Sequence, residues 1–287
     1  MVPRICLVLC LLMLLVVPAA ADTFFFGTGS PDGLIATGSR PSSAGKIEIE
    51  SADDFVLTGE TAISSATFTG LLTGGATLSD IGDVRVEIYR VFPQDSTVPP
   101  SGDVPTRANS PSDVEFDDRD AAAAELTFTT TDLSSSFTAS NSVLNGIHPI
   151  PGFHTGGDGA VTGDEMQFDV TFATPFDLAA GHYFFVPQVE VTDANGEFMW
   201  LSAPRPIVPP GTPFPLGFTD LQAWIRNENL DPDWLRVGTD IVGGSPAPTY
   251  NMAFSLTGQT VPEPATWTML AGAMGVLALG RKKLTKR

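Results

Sequence analysis

Acidic side chains are concentrated in one short stretch of the chain, residues 113–120. Ca²⁺ is a hard cation that prefers several carboxylate oxygens from one loop, so this stretch is a candidate calcium site. The candidate ligands are Asp113, Glu115, Asp117 and Asp120. An EF-hand is excluded, because Asp118 stands where that loop needs glycine and Ala124 where it needs a bidentate glutamate. The sequence therefore predicts either a non-standard structural calcium site or a solvated acidic loop.

A second set of residues could stack on sugar rings. Residues 220–236 combine Trp224 and Trp234 with Asp, Asn and Arg side chains, a mixture that suits carbohydrate. Other aromatic residues that could join them are Tyr183, Phe198 and Trp200. The same aromatic side chains also suit the core of a β-sandwich. Glycan contact therefore requires that Trp224 or Trp234 be exposed in a groove.

Three histidines are spaced so that they could meet only after folding. His148 and His154 flank a proline-rich segment and His182 opens a predicted strand, so a zinc site would need the loop to fold onto that strand. The spacing matches no zinc pattern and the His-Glu-x-x-His motif is absent. We interpret these histidines as surface or strand-edge residues.

Motifs for nucleophilic catalysis are missing from the sequence. Ser245 follows two glycines but is followed by Pro246 and Ala247, so it does not form a Gly-x-Ser-x-Gly elbow. A carboxylate pair for glycoside hydrolysis stays open, because its two members can come from distant strands. We therefore predict that the chain is not an enzyme and has no cofactor, apart from the calcium considered above.

The elements that would position these residues are short strands separated by Gly, Pro, Asp and Ser. Alternation is clearest at residues 84–91, where Val84, Val86 and Ile88 share one face. Strands are predicted at residues 24–26, 46–50, 62–69, 84–92, 126–131, 166–172, 182–191, 198–202, 221–226 and 251–257. This pattern predicts one all-β domain over residues 22–260, a β-sandwich of jelly-roll-like form.

Three long irregular stretches, residues 93–112, 141–163 and 204–215, interrupt the predicted strands. Loops of this length are uncommon unless they are functional or mobile. The alanine-rich segment 120–126 is too short to predict a helix. No internal repeat and no linker divides the body into two domains.

Charge and cysteine content limit the classes of function. Of 33 acidic residues only Glu263 lies outside residues 22–260, and of 15 Lys and Arg residues six do, so the body carries 32 acids, nine bases and a net charge of −23. That charge opposes binding to nucleic acid and to anionic lipid. Both cysteines, Cys6 and Cys10, precede residue 22, so the body has no disulfide and no thiolate.

The N-terminal residues are typical of a secretory signal peptide. Arg4 precedes an apolar run that ends at Pro18, and three alanines follow it. We expect the secretion machinery to export the chain and signal peptidase to cut after Ala21. Residues 1–21 then form the signal peptide.

The C-terminal residues form a second membrane signal. Residues 265–280 contain no charge and would form a helix of about 24 Å, shorter than the ~30 Å hydrocarbon core. A basic cluster follows: Arg281, Lys282, Lys283, Lys286 and Arg287. Such a cluster favours the cytoplasm, so we expect the body outside the inner membrane and residues 281–287 inside.

Pro262, Glu263 and Pro264 precede the apolar run, and this order of parts resembles the PEP-CTERM sorting tail of secreted bacterial proteins. The resemblance covers residues 261–287. It implies a Gram-negative source, transient anchoring in the inner membrane, and cleavage near the Pro-Glu-Pro by an exosortase. The two prolines cannot continue a helix, so they would present an extended segment beside the bilayer.

The resemblance also implies a role for the body. Proteins with such tails are typical of bacteria that make exopolysaccharide or a biofilm matrix, so we expect a structural or binding component of that matrix at the cell surface. The alternative is a carbohydrate-binding module or a glycan-active enzyme, with polysaccharide as the partner. Residues 52–55, Ala-Asp-Asp-Phe, resemble a segment near the start of many secreted β-rich proteins with surface-anchor tails.

Overall fold

The computed structural model describes residues 21–43, 45–148 and 153–261. Residues 23–259 form one compact unit. This unit contains the strands, which are β1 Thr23–Gly27, β2 Ile35–Gly38, β3 Ile49–Leu57, β4 Thr61–Thr73, β5 Ile81–Arg90, β6 Asp117–Asp120, β7 Leu126–Ala139, β8 Asn141–Val143, β9 Val161–Leu178, β10 Gly181–Val191, β11 Glu197–Ala203, β12 Trp224–Asn227, β13 Leu235–Arg236, β14 Asn251–Met252 and β15 Phe254–Thr260. A 3-10 turn at Leu78–Asp80 and a π-helical turn at Val237–Val242 complete the regular elements of the described residues.

The strands form two sheets, which confirms the all-β prediction. The six-stranded sheet has the order β13–β12–β3–β10–β5–β6, and its neighbouring strands are antiparallel. The nine-stranded sheet follows the path β1–β15–β4–β11–β2–β8, with β14 beside β11, β9 beside β4 and β7 beside β9. Within this sheet β2 and β8 run parallel.

One apolar core lies between the two sheets. Val84, Val86 and Ile88 of β5 all point into it, as their alternation predicted. Phe68 of the nine-stranded sheet and Phe185 of the six-stranded sheet have ring centroids 6.3 Å apart. Each fully buried side chain of this size stabilises the fold by about 1.5–3 kcal/mol.

Several predicted bounds are wrong in informative ways. The strand predicted at 46–50 begins at Ile49, because Lys46 lies in a turn where it pairs with Ser43. The alanine-rich segment forms a turn, with Ala124 at a φ of 61°. The irregular stretch 141–163 contains β8 and the start of β9, and β2, β6 and β13 were not predicted. Strands of two to four residues carry too few alternations to be recognised.

The outer face of the six-stranded sheet is covered by irregular chain. The stretch 93–112 leaves β5 and returns along it, since the Ser112 amide donates to the Arg90 carbonyl at 2.7 Å. Residues 204–223 reach the same sheet, where the Leu221 amide donates to the Asp54 carboxylate at 3.0 Å. The side chains on this outer face are therefore buried although they lie outside the core between the sheets.

Candidate functional site

A buried ionic cluster lies on the covered face of the six-stranded sheet. Glu50 of β3, Glu87 and Tyr89 of β5, and Arg226 of β12 meet there because they share that face. The Tyr89 hydroxyl lies 2.8 Å from Glu50 Oε1 and 3.1 Å from Glu87 Oε2, and Arg226 Nη2 lies 3.0 Å from Glu50 Oε1. Arg226 Nε also donates to Glu50. The guanidinium thus neutralises Glu50 rather than Glu87.

Proton affinity in this cluster follows from the burial. Burial raises the pKa of Glu87 well above its ordinary value, and the carboxylate of Glu50 raises it further. Burial also raises the pKa of Tyr89, with Glu50 and Glu87 adding to the effect. Neither Glu50 nor Glu87 lines any of the three surface grooves described below. Both carboxylates are buried, at 4% and 5% exposure.

Two acids missed by the sequence reasoning, Asp53 and Asp54, connect β3 to both sides of the sheet. As consecutive residues of a strand they point to opposite faces. Asp53 accepts from the Met252 amide at 2.7 Å on the core side, and Asp54 accepts from the Leu221 amide on the outer side. Burial raises the pKa of both, the negative charge of Asp54 raises the pKa of Asp53 further, and that of Asp220 raises the pKa of Asp54. The Ala-Asp-Asp-Phe segment thus has a structural role in this fold.

An open groove of about 370 Å³ lies on the outer face of the nine-stranded sheet. This volume falls within the range of small-molecule sites, about 300–1,000 Å³. Phe25 and Leu133 are exposed hydrophobic residues that line it, with 53% of Phe25 accessible to solvent. Polar residues also line the groove: Ser30, Thr67, Thr69, Glu165, Gln167 and Ser255.

Glu165 is the distinctive residue of this groove. Its residue exposure is 9%, and its carboxylate has no hydrogen bond or ion pair within the part of the chain that the structure describes. Burial raises its pKa, with no other contribution. Among the described lining residues it is the one charged side chain. A carboxylate that borders a groove and has no partner among the described residues is available to a ligand cation.

Two further grooves are less suited to ligands. One of about 490 Å³ is lined by Arg90, His182 and Tyr183 among others, and Arg90 is paired with Asp95 at 2.8 Å. The other, about 170 Å³, is lined by Arg205 and Arg236 among others. Both of these arginines have carboxylate partners, which are Asp220 and Asp240.

The C-terminal segment was compared with models of protein families, and residues 260–283 match the PEP-CTERM protein-sorting motif. This chain carries a PEP-CTERM sorting motif. The match contains Pro262, Glu263 and Pro264 with Arg281, Lys282 and Lys283, and it ends before Lys286 and Arg287. The motif implies export, a membrane-anchored sorting tail and an exosortase as processing partner. A comparison with curated proteins gave no match.

The structure bears on only a small part of the two sorting signals. The PEP-CTERM residues 262–287, including the predicted helix at 265–280, lie outside the described residues, as do residues 1–20 of the predicted signal peptide. Ala21 is described and is exposed to solvent. Among the helical elements that the structure describes, none has the length and apolarity needed to cross a membrane.

The four candidate calcium ligands of this PEP-CTERM chain are not brought together. Asp113 pairs with Arg107, Asp117 with Arg119 at 2.6 Å, and Asp120 with Arg85 at 3.1 Å. The fourth candidate, Glu115, lies beside the Tyr89 hydroxyl at 3.5 Å. Within residues 21–43, 45–148 and 153–261, no cluster of three His, Cys, Asp or Glu residues is placed to hold a metal ion.

The proposed glycan contacts of Trp224 and Trp234 need correction. They are 2% and 1% exposed, so neither ring face can stack on a sugar. Both pack with Tyr89 and Phe184 under the covering loops, and Arg226 lies 4.4 Å from the Trp234 ring centroid. The other aromatic residues considered, Tyr183, Phe198 and Trp200, are also buried. The alternative interpretation, that these residues form core, describes them correctly.

The three histidines do not form a zinc site within the described residues. His154 Nδ1 lies 3.2 Å from the Asp240 carbonyl, whereas His182 Nε2 lies 2.5 Å from Asp54 Oδ2. Burial lowers the pKa of His182 to about 4. His148 is half-buried beside the Phe153 ring, with centroids 5.0 Å apart.

Proposed function

We propose that this chain is an exported surface or extracellular-matrix protein, processed through its C-terminal sorting signal, whose β body is a structural or binding component of an exopolysaccharide or biofilm matrix. The PEP-CTERM motif at residues 260–283 carries this proposal. Its finer parts are a signal peptide cut after Ala21, a transient inner-membrane helix at 265–280 and a cytoplasmic basic end. The jelly-roll-like form of the sandwich belongs to the proposal as well.

The amino-acid composition of the body is consistent with a function outside the cell. It has no cysteine whose oxidation could alter it, and a net charge of −23 favours solubility and opposes nucleic acid as a partner. Cohesion within the body comes from the apolar core and from buried ion pairs such as Arg226 with Glu50. We propose no catalysis, because Glu50 and Glu87 are covered by loops. We propose no cofactor, because three of the four calcium candidates already neutralise arginines.

A second candidate function is favoured by a specific observation, the groove that contains Phe25 and Glu165. An exposed aromatic residue beside polar side chains is suited to hold a sugar ring, since the apolar face of the ring packs on the aromatic and its hydroxyl groups meet the polar atoms. A single carboxylate in the groove, rather than two facing ones, favours binding over glycoside hydrolysis. On this proposal the body is a carbohydrate-binding module of the cell surface.

The sorting proposal is tested by cell fractionation in a Gram-negative host that has an exosortase. We expect the wild-type body, shortened by the tail, at the surface or in the medium. The double variant Pro262→Ala, Pro264→Ala lets the helix extend through the recognition segment, so it should stay uncut in the membrane fraction. The matched control Pro99→Ala, Pro100→Ala changes two exposed loop prolines and should behave as wild type. Equal processing of both double variants would contradict the proposal.

A further inference from the structure

The carboxylate of Glu165 borders the groove and has no donor among the described residues. The residue as a whole is 9% exposed and its carboxylate oxygens still reach water, and no arginine, lysine, amide or hydroxyl group of the described chain donates to them. Other buried acids of the fold each have at least one donor within the chain, as Asp53 has in the Met252 amide and Glu50 in Arg226. The partner of Glu165 is therefore to be sought in a ligand that enters the groove.

The remaining polar atoms of the groove define what that ligand must offer. Gln167 directs its Nε2 to Asp169 Oδ1 at 2.9 Å, which leaves its Oε1 as an acceptor. The hydroxyl groups of Thr67 and Ser255 form one hydrogen bond with each other, with Oγ1 and Oγ 2.6 Å apart. No Lys, Arg or His is among the described lining residues. The groove thus combines hydroxyl groups, which can donate or accept, with one negative charge and no positive charge among its described lining residues, and it suits a ligand that carries a positive charge.

Phe25 supplies the second element of recognition. Its ring is half-exposed and borders the same groove, so it can cover the apolar face of a sugar and can also attract a cation through the ring face. The groove is large enough for one or two sugar residues but too open to enclose a larger molecule. A cationic sugar combines all of these properties.

We propose that this groove binds a sugar residue with a free amine, a hexosamine unit of a glycan, with its ammonium group at Glu165 and its ring against Phe25. The inference rests on the proposed sugar-binding function and names its ligand class. Uronic acids are excluded by charge, because their carboxylate would lie beside that of Glu165 in a body of net charge −23. N-acetylated sugars lack the positive charge and leave Glu165 without an ionic partner.

The proposal is tested by calorimetry on the exported protein with two matched probes, a β-1,4-linked glucosamine tetramer and its fully N-acetylated counterpart. At pH 6 the glucosamine tetramer should bind at least tenfold more tightly than the acetylated one. Glu165→Gln keeps the shape of the side chain and removes its charge, so it should lower the affinity for the glucosamine tetramer at least tenfold. Phe25→Leu should weaken the binding of both tetramers. A rising salt concentration should weaken the binding of the glucosamine tetramer alone.

Matched controls separate recognition from long-range charge and from misfolding. Glu60→Gln removes the same charge at an exposed site, and Phe218→Ala removes a half-exposed ring elsewhere, so both should bind as wild type. Melting temperatures report whether each variant is folded. Equal affinity for the two tetramers, or a Glu165→Gln variant that binds glucosamine as wild type does, overturns amine recognition while sugar binding stands. Absence of binding to either tetramer overturns this inference, and a wider glycan screen then decides the proposed sugar-binding function separately.

Discussion

At the scale of one residue, Lys46 shows how a single charged side chain can hold a turn of the backbone in this acidic body. It is the single lysine of residues 22–260. Its ammonium group donates to the carbonyls of Val191, Asp193 and Gly196 at 3.0, 2.8 and 2.6 Å, and so closes the turn after β10. Three protons and three acceptors match, so Lys46 holds this turn rather than a phosphate or another anionic ligand.

Replacing Lys46 tests this role. Lys46→Met keeps the apolar stem but leaves three carbonyls without their donor, and hydrogen bonds to charged groups contribute about 1.5–3 kcal/mol each. We expect a loss of about 3 kcal/mol in the free energy of unfolding, measured by chemical denaturation. Lys46→Arg keeps the charge but has a planar donor fork, so it should recover only part of the loss. A Met variant as stable as wild type would show that water replaces the ammonium group.

At the scale of one element, β3 joins the two faces of the six-stranded sheet. Its described residues are all buried, because the core covers one face and residues 93–112 and 204–223 cover the other. Asp53 and Asp54 therefore each meet a buried backbone amide that would otherwise have no acceptor. A carboxylate is used here as a hydrogen-bond acceptor within the fold, although its burial disfavours its charge.

This role predicts different outcomes for two substitutions of Asp53. Asp53→Asn retains an oxygen that can accept from the Met252 amide and removes the buried charge, so its stability should be close to that of wild type. Asp53→Ala leaves the amide unpaired and should lose about 1–3 kcal/mol, which lowers the melting temperature by about 2–10 °C in a body of this size. Thermal unfolding of both variants at pH 7 measures the difference. Equal losses would mean that the charge, not the acceptor, is required.

At the scale of the whole molecule, the buried acids make stability depend on pH in an unusual direction. Burial raises the pKa of Asp53, Asp54 and Glu87 in the folded chain. A raised carboxyl pKa stabilises the fold fully below the unfolded value, and this contribution is lost as pH rises through the folded value. His182 acts oppositely, because its pKa of about 4 means that stability falls as pH drops from 6.5 towards 4.

Because several acids oppose one histidine, we expect the melting temperature to be higher at pH 5.5 than at pH 8, by about 5 °C. Glu87→Gln imitates the protonated acid, so it should raise the melting temperature at pH 8 and flatten the profile. Glu60→Gln, at an exposed position, should do neither beyond the small effect of one surface charge. A profile that rises steadily from pH 5.5 to pH 8 would contradict the assignment of proton affinity in the buried cluster.

Long alternating segments made much of the fold predictable. The run at residues 84–91 specifies which side chains of β5 face the core, because the period of a strand is two residues. It could not show that the opposite side chains are buried too, since that depends on residues 93–112, which carry no periodicity. The alternation therefore predicts that Glu87 and Tyr89 face solvent, whereas in the fold they belong to a buried ionic cluster.

The candidate site was less predictable, for a related reason. Asp113 and Asp117 are four residues apart, yet their partners Arg107 and Arg119 belong to different parts of the chain. Proximity in sequence suggested one shared cation, but each of these carboxylates pairs with its own arginine. The sequence does not show that Glu165 has no partner within the chain, because that is a property of its folded surroundings.

The sorting signal of this protein can be predicted from the sequence alone. It consists of a proline-bounded, an apolar and a basic segment that follow one another in linear order. The PEP-CTERM motif at residues 260–283 is defined by residue types in linear order. The all-β class follows similarly from local alternation. Contacts between distant segments decide three other properties. They determine which acids pair with arginines, which tryptophans are covered and which carboxylate is without a partner among the described residues. Burial and charge pairing depend on contacts between distant segments, so only the folded structure distinguishes Asp113, which pairs with Arg107, from Glu165, which has no ion pair among the described residues.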